Sequence, residues 1–146
     1  MTASLPLPAH IHPMAMRATL AASLLLGGLT ATAAPVLRCQ IDQGGNIQVL
    51  DFAPASDPYT AKAVDINGRF RFKAVVIGDQ RHLDYIKLYT YGQARRQPVL
   101  LHLAKYMAPA LPSGPTPIAL TGVNYIYSAQ RERELQYSCA LLEVAP

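Results

Sequence analysis

Between Arg69 and Tyr91 the chain places Arg69, Arg71, Lys73, Tyr85, Lys87, Tyr89 and Tyr91, all at odd-numbered positions. In an extended chain, residues two apart share one face. A single face would therefore carry four cations and three phenol rings, with no acid from these two stretches. That is the chemistry of contact. Arginine offers a planar fork to carboxylates and phosphates. Tyrosine offers flat, amphipathic area of the kind enriched at interfaces.

A second group, His82, Asp84 and His102, has the residue types for a metal site or for general acid–base work. His82 and Asp84 are two apart and share a strand face, while His102 is the obvious third ligand. The plainer alternative is a hydrogen-bonded pair beside a turn. No Gly-x-Ser-x-Gly, His-Glu-x-x-His or glycine-rich phosphate loop occurs. Ser113 has no base in view, and Asp51, Asp57 and Asp65 have no motif spacing. No catalytic residue and no cofactor is assigned, and the balance favours a protein that is not an enzyme.

The third pair is Cys39 and Cys139, the two cysteines of the chain. Their spacing is unlike the Cys-x-x-Cys of redox pairs, and an even count in an exported chain predicts a disulfide.

Export is read from the first 33 residues. Arg17 precedes an apolar run from Ala18 to Leu29, followed by Ala31-Thr32-Ala33, the order of a secretory signal cleaved after Ala33. The run is too short for the ~20 residues that cross a bilayer. Residues 1–13 carry three prolines and no Lys or Arg, which points to a true start at Met14 or Met16. Arg38 before Cys39 excludes a lipoprotein. The expected location is therefore periplasmic or secreted, with no transmembrane segment after cleavage. Residues 34–146 then hold 12 Lys and Arg against 9 Asp and Glu, or +3, too little to indicate nucleic acid.

The elements that must position these groups are strands. Leu37, Cys39 and Ile41 alternate with polar residues, and Gly44-Gly45-Asn46 turns the chain into Ile47–Phe52. Residues 53–60 read as loop, and 61–66 as a short strand ended by Asn67-Gly68. Phe70–Val76 and Tyr85–Tyr91 form a predicted hairpin. An odd-length loop at 78–80 sets Phe72 opposite Ile86, Lys73 opposite Tyr85, Arg71 opposite Lys87 and Arg69 opposite Tyr89. An even-length loop would set Phe72 against Lys87, and a one-residue slip exchanges the faces. The opposed Arg71 and Lys87 need an acid from a third strand, with Glu132 or Glu134 as candidates. Gln97–Met107 is a strand, the proline-rich 109–117 a surface loop, Ile118–Ser128 a strand with an irregularity at Gly122, and Glu132–Val144 the last strand. In it Leu135, Tyr137, Cys139 and Leu141 share the core face.

Seven or eight short strands in one domain, 34–146, predict an all-β antiparallel β-sandwich, immunoglobulin-like in architecture, or a small barrel. The disulfide would tie the first strand to the last. The expected function is an exported, non-enzymatic binding module of the bacterial-type cell envelope. It would meet an anionic, glycan or protein partner through the basic tyrosine face. The alternatives are a small metal-dependent hydrolase or metal-binding protein using His82, Asp84 and His102, and a structural subunit that buries Tyr85 and Tyr89 in a dimer. Sheet composition is the competing explanation of the face itself, since tyrosine has high strand propensity and charge keeps outer faces soluble.

Overall fold

The computed structural model describes residues 33–129 and 132–144. The helical signal expected up to Ala33, with its alternative starts at Met14 or Met16, falls on residues 1–32 and so lies outside the described residues, apart from Ala33 itself. Nine strands follow in order: β1 (Ala34–Gln43), β2 (Asn46–Phe52), β3 (Val64–Ile66), β4 (Phe70–Gly78), β5 (Leu83–Gly92), β6 (Val99–Met107), β7 (Ile118–Ala119), β8 (Asn124–Ser128) and β9 (Arg133–Val144). A single 3-10 turn, Pro58–Thr60, interrupts the long connection before β3. No helix among the described residues is long and apolar enough to cross a membrane.

All strand pairs are antiparallel. The first sheet runs β2-β1-β9, with β7 and β8 both lying along the far side of β9. The second runs β3-β4-β5-β6. The strand expected over 118–128 is thus two short pieces, which explains a total of nine instead of seven or eight. Only 64–66 of the stretch expected over 61–66 is paired.

The sheets pack face to face. Leu37 and Ile41 of β1 and Leu135, Tyr137 and Leu141 of β9 are buried against Phe70, Phe72 and Val76 of β4 and Ile86 and Leu88 of β5. Phe72 meets Tyr137 with ring centroids 5.2 Å apart. Fully burying each such side chain contributes roughly 1.5–3 kcal/mol. The period-two alternation of β1, β4, β5 and β9 is what gives each sheet one apolar face to bury.

Cys39 and Cys139 form a disulfide. They stand directly opposite one another on β1 and β9, with Cα atoms 4.1 Å apart. The bridge therefore ties the first strand to the last within one sheet, whereas the bridge of antibody domains spans two.

The β4–β5 hairpin corrects the expected register. Lys73 faces Tyr89, Arg71 faces Tyr91, Phe72 faces Thr90, and Lys87 faces Val75. This is a slide of four residues from the expected pairing. The cause is the hairpin tip. The Asp79 carboxylate accepts from the main-chain N–H of Arg81 (2.7 Å) and His82 (2.9 Å), and Asp79 N–H donates to the His82 carbonyl at 2.8 Å. The hydrogen bond from Arg81 N–H, then that from His82, holds the Asp79 carboxyl below its ordinary value. Residues 79–82 make a four-residue loop, and a register shift between Ile77 and Gly78 absorbs the unpaired residue. Gly78 takes φ +143°, and a Cβ there would run into the His82 carbonyl and the Leu83 main chain. The bulge restores the parity of an odd-length loop, and an even slide leaves the side chains from Tyr85 to Tyr91 on their expected faces, while beyond the bulge Leu83 turns inward and Asp84 outward.

Candidate functional site

The outer face of the second sheet is a grid of three strands. β4 contributes Arg71, Lys73, Val75 and Ile77. β5 sets Tyr91, Tyr89, Lys87 and Tyr85 beside them in that order. β6 continues the rows with Leu100, Leu103, Lys105 and Met107. The opposite parity of β4 and β5 carries buried Phe72, Ile86 and Leu88, so the grid looks away from the core, although Val75 and Ile77 at its β4 end are also buried.

Aromatic rings and cations organise one another on this face. Lys73 Nζ stands 5.8 Å from the Tyr89 ring centroid. Lys87 and Lys105, which face one another across β5 and β6, both lie over the Tyr85 ring, at 5.3 and 5.5 Å. Each such contact contributes ~0.5–1 kcal/mol at an exposed site and offsets part of the repulsion between the two ammonium groups. Tyr89 and Tyr91 stack with planes 5° apart and centroids 6.1 Å apart. Burial, and then the neighbouring Tyr89, raises the Tyr91 phenol above its ordinary value.

Arg71, Lys73, Tyr85, Lys87, Tyr89 and Tyr91 are all brought together. Arg69 sits at the end of the β4 column, exposed in the turn before it, and its carbonyl accepts from Gln93 N–H at 2.9 Å. Its expected partner Tyr89 is taken by Lys73. The clash expected between Arg71 and Lys87 is replaced by Arg71 beside Tyr91 and Lys87 beside Val75. Glu132 and Glu134 do not supply an acid here. Glu134 pairs with Tyr127 in the first sheet, and Glu132 immediately precedes that strand. The acid beside Arg71 is Asp65 of β3, whose carboxylate already accepts from Gly68 N–H at 2.8 Å. Among the described residues, the Arg38–Asp51 ion pair and the His82–Asp84 contact involve no cation of this face.

The four β6 members of the face escaped sequence reading: Leu100, Leu103, Lys105 and Met107. Leu103 is 49% and Met107 64% exposed. Their signal was the alternation within 99–107, but it points to this face only once β6 is known to lie beside β5.

His82, Asp84 and His102 do not converge. His82 Nε2 lies 3.3 Å from Asp84 Oδ1 at the exposed hairpin tip. His102 pairs with Thr90, six residues and about 20 Å further along β5. It faces inward, with its ring 5.9 Å from that of Tyr137. Its Nε2 has no hydrogen-bond partner among the described residues, and the same holds for the Thr90 and Tyr137 hydroxyls. No group of three potential metal ligands forms among the described residues.

The chain matches no protein-family model, and no curated protein and no solved structure is similar to it.

Proposed function

We propose that the protein is an exported, non-enzymatic binding module of the bacterial-type cell envelope that holds an anionic partner on the outer face of its second sheet. The observation that carries this reading is the grid itself. Arg71, Lys73, Lys87 and Lys105 surround three tyrosines without an ion-pair partner among the described residues, and the acid beside them, Asp65, is engaged in its own turn. Cations without an ion-pair partner, set among tyrosines, favour a ligand that brings negative charge. The disulfide is compatible with an oxidising compartment outside the cytoplasm, and the charged, apolar, small-residue order up to Ala33 supports secretion to the periplasm or beyond.

The test is equilibrium binding of the purified protein to acidic polysaccharide, anionic phospholipid vesicles and acidic peptides, with Arg71→Glu/Lys87→Glu as the comparison. The double variant should bind at least about tenfold more weakly to whichever ligand the native protein retains, and salt should weaken native binding. Equal affinity for the two proteins would remove the face from consideration.

A further inference from the structure

The lateral edges of the sandwich are not alike. β3 covers only three residues of β4, and beyond it Ala55 bridges Ile77, with Ala55 N–H donating to the Val76 carbonyl at 2.9 Å. The far edge of β9 is divided between β7 and β8. β2 spans seven residues and carries Asp51, which is locked to Arg38. β6 differs from β2, the other long proline-free strand with an open outer side, in its greater length and in having no ion pair on it among the described residues. It spans nine residues, contains no proline, and no described strand pairs with its outer side. Exposed edges of this length are templates for another strand unless they are blunted.

The direction of its main-chain groups follows from one bond. Ala108 N–H donates to the Asp84 carbonyl at 2.9 Å, in the register that also sets Met107 opposite Tyr85. Hydrogen-bonded pairs alternate along an antiparallel ladder. Tyr106, Ala104 and His102 therefore exchange bonds with β5. Leu103, Lys105 and Met107 turn their N–H and C=O groups to the free side. Their side chains stand on the basic face. Inward of the same edge, near the start of β6, Gly92, Val99, Leu101, Tyr127 and Ser128 line a cleft of about 250 Å³ between β6 and β8.

We propose that β6 is a docking edge at which an extended acidic segment of another protein adds as a further strand. Its acidic side chains lie on the face with Lys105 and Lys87, and its alternate apolar side chains turn toward the Leu101–Tyr127 cleft. The inference rests on the reading of the basic face as the contact surface and names the partner as a polypeptide. Main-chain bonding supplies the generic part of such recognition and alternate side chains the specific part. A second copy of this chain is the less favourable occupant. Pairing β6 with itself joins two basic faces into one sheet with their lysines close together, and like charges on neighbouring strands repel. Lys105 thus disfavours self-pairing and attracts an acid.

The test uses the full exported protein and a blocked nine-residue peptide of alternating Glu and Val, the length of β6. Controls are the same peptide with Lys for Glu, and a version N-methylated at alternate residues on the side that would donate to β6. Fluorescence anisotropy should show saturable binding of the Glu peptide and at least about tenfold weaker binding of both controls. Leu103→Pro removes an outward N–H without touching the β5 ladder and should weaken binding by a similar factor. The N-methylated peptide keeps the test valid should that variant fold poorly. No binding of the Glu peptide by the native protein overturns strand addition. Equal binding of the N-methylated peptide also overturns it, and leaves the basic face standing if Arg71→Glu/Lys87→Glu still loses affinity. The converse, loss on N-methylation with full binding by the double variant, leaves the edge standing and removes the face. A native dimer that Leu103→Pro dissociates assigns the edge to a second copy and overturns the acidic partner.

Discussion

The two outer faces of this sandwich solve the same problem differently. On the first sheet, Arg38 donates from Nε and Nη2 to the two carboxylate oxygens of Asp51, its direct cross-strand neighbour, at 2.7 Å each. That hydrogen bonding raises Arg38 and lowers Asp51 from their ordinary values. Around the pair stand Gln40, Ser138, Gln136 and Ala140, and further out on the same face the exposed Ile47, Val49, Tyr125 and Tyr127. On the second sheet, cations stand beside tyrosines and each other. The faces therefore differ in how charge is arranged: the arginine of the first is paired with an acid, and the cations of the second stand beside tyrosines.

Both faces depend on one shared frame, so the largest expected effect destroys the comparison outright. Replacing both cysteines, Cys39→Ala with Cys139→Ala, opens a loop with a sequence separation of 100. It should lower the unfolding free energy by up to about 4.7 kcal/mol. Denaturant unfolding of the variant should show both sheets lost in one earlier transition. A midpoint within error of the native protein would remove the bridge from the stability account.

The next effect separates the faces from the interior between them. Tyr137 is 1% exposed, and burial, then Tyr106, pushes its phenol up to about 12. A folded-state value above the unfolded one, ~10, favours the protonated form of the native protein. Its stabilisation is complete below pH ~10 and is lost as the pH rises through about 12, amounting to about 3 kcal/mol over that window. Tyr137→Phe should abolish that alkaline loss and leave stability at neutral pH unchanged or higher by about 1 kcal/mol, because it removes a buried hydroxyl without a partner among the described residues. Parallel unfolding curves for the two proteins between pH 9 and 12 would contradict this.

The smallest effect sharpens the contrast directly. Arg38→Ala breaks an exposed pair and should cost no more than about 1 kcal/mol, with binding of any anionic ligand unchanged. Lys73→Ala should do the reverse: stability within about 0.5 kcal/mol of native and measurably weaker binding. Equal loss of binding from both substitutions would mean that net charge, and not the second face, governs the interaction.

Much of the frame is legible from residue types. Alternation placed Leu37, Cys39 and Ile41, and Leu135, Tyr137, Cys139 and Leu141, on buried faces, and the structure buries all seven. The hairpin at Gly44-Gly45 is present with both glycines at positive φ. The two cysteines are bonded. Register was harder. The four-residue slide of β5 on β4 was set by the Asp79 turn and the bulge at Gly78, and periodicity has no term for either. His102 shows a second limit. Its position among metal-capable residue types made it a ligand candidate, yet its parity on β6 turns it toward Tyr137.

Away from the bulges, side-chain facing was determined by the sequence itself, because it depends only on whether a position is odd or even along an extended chain. It survives any even error in register. That is why Arg71, Lys73, Tyr85, Lys87, Tyr89 and Tyr91 share one face under the expected pairing and under the observed one. Neighbourhood was decided by the tertiary structure alone. The placement of Lys105 over Tyr85, Asp65 beside Arg71, Leu103 at a free edge and Glu134 in the opposite sheet depends on which distant strands pair. That choice comes from packing two apolar faces and from turn geometry at hairpin ends, which no local spacing records.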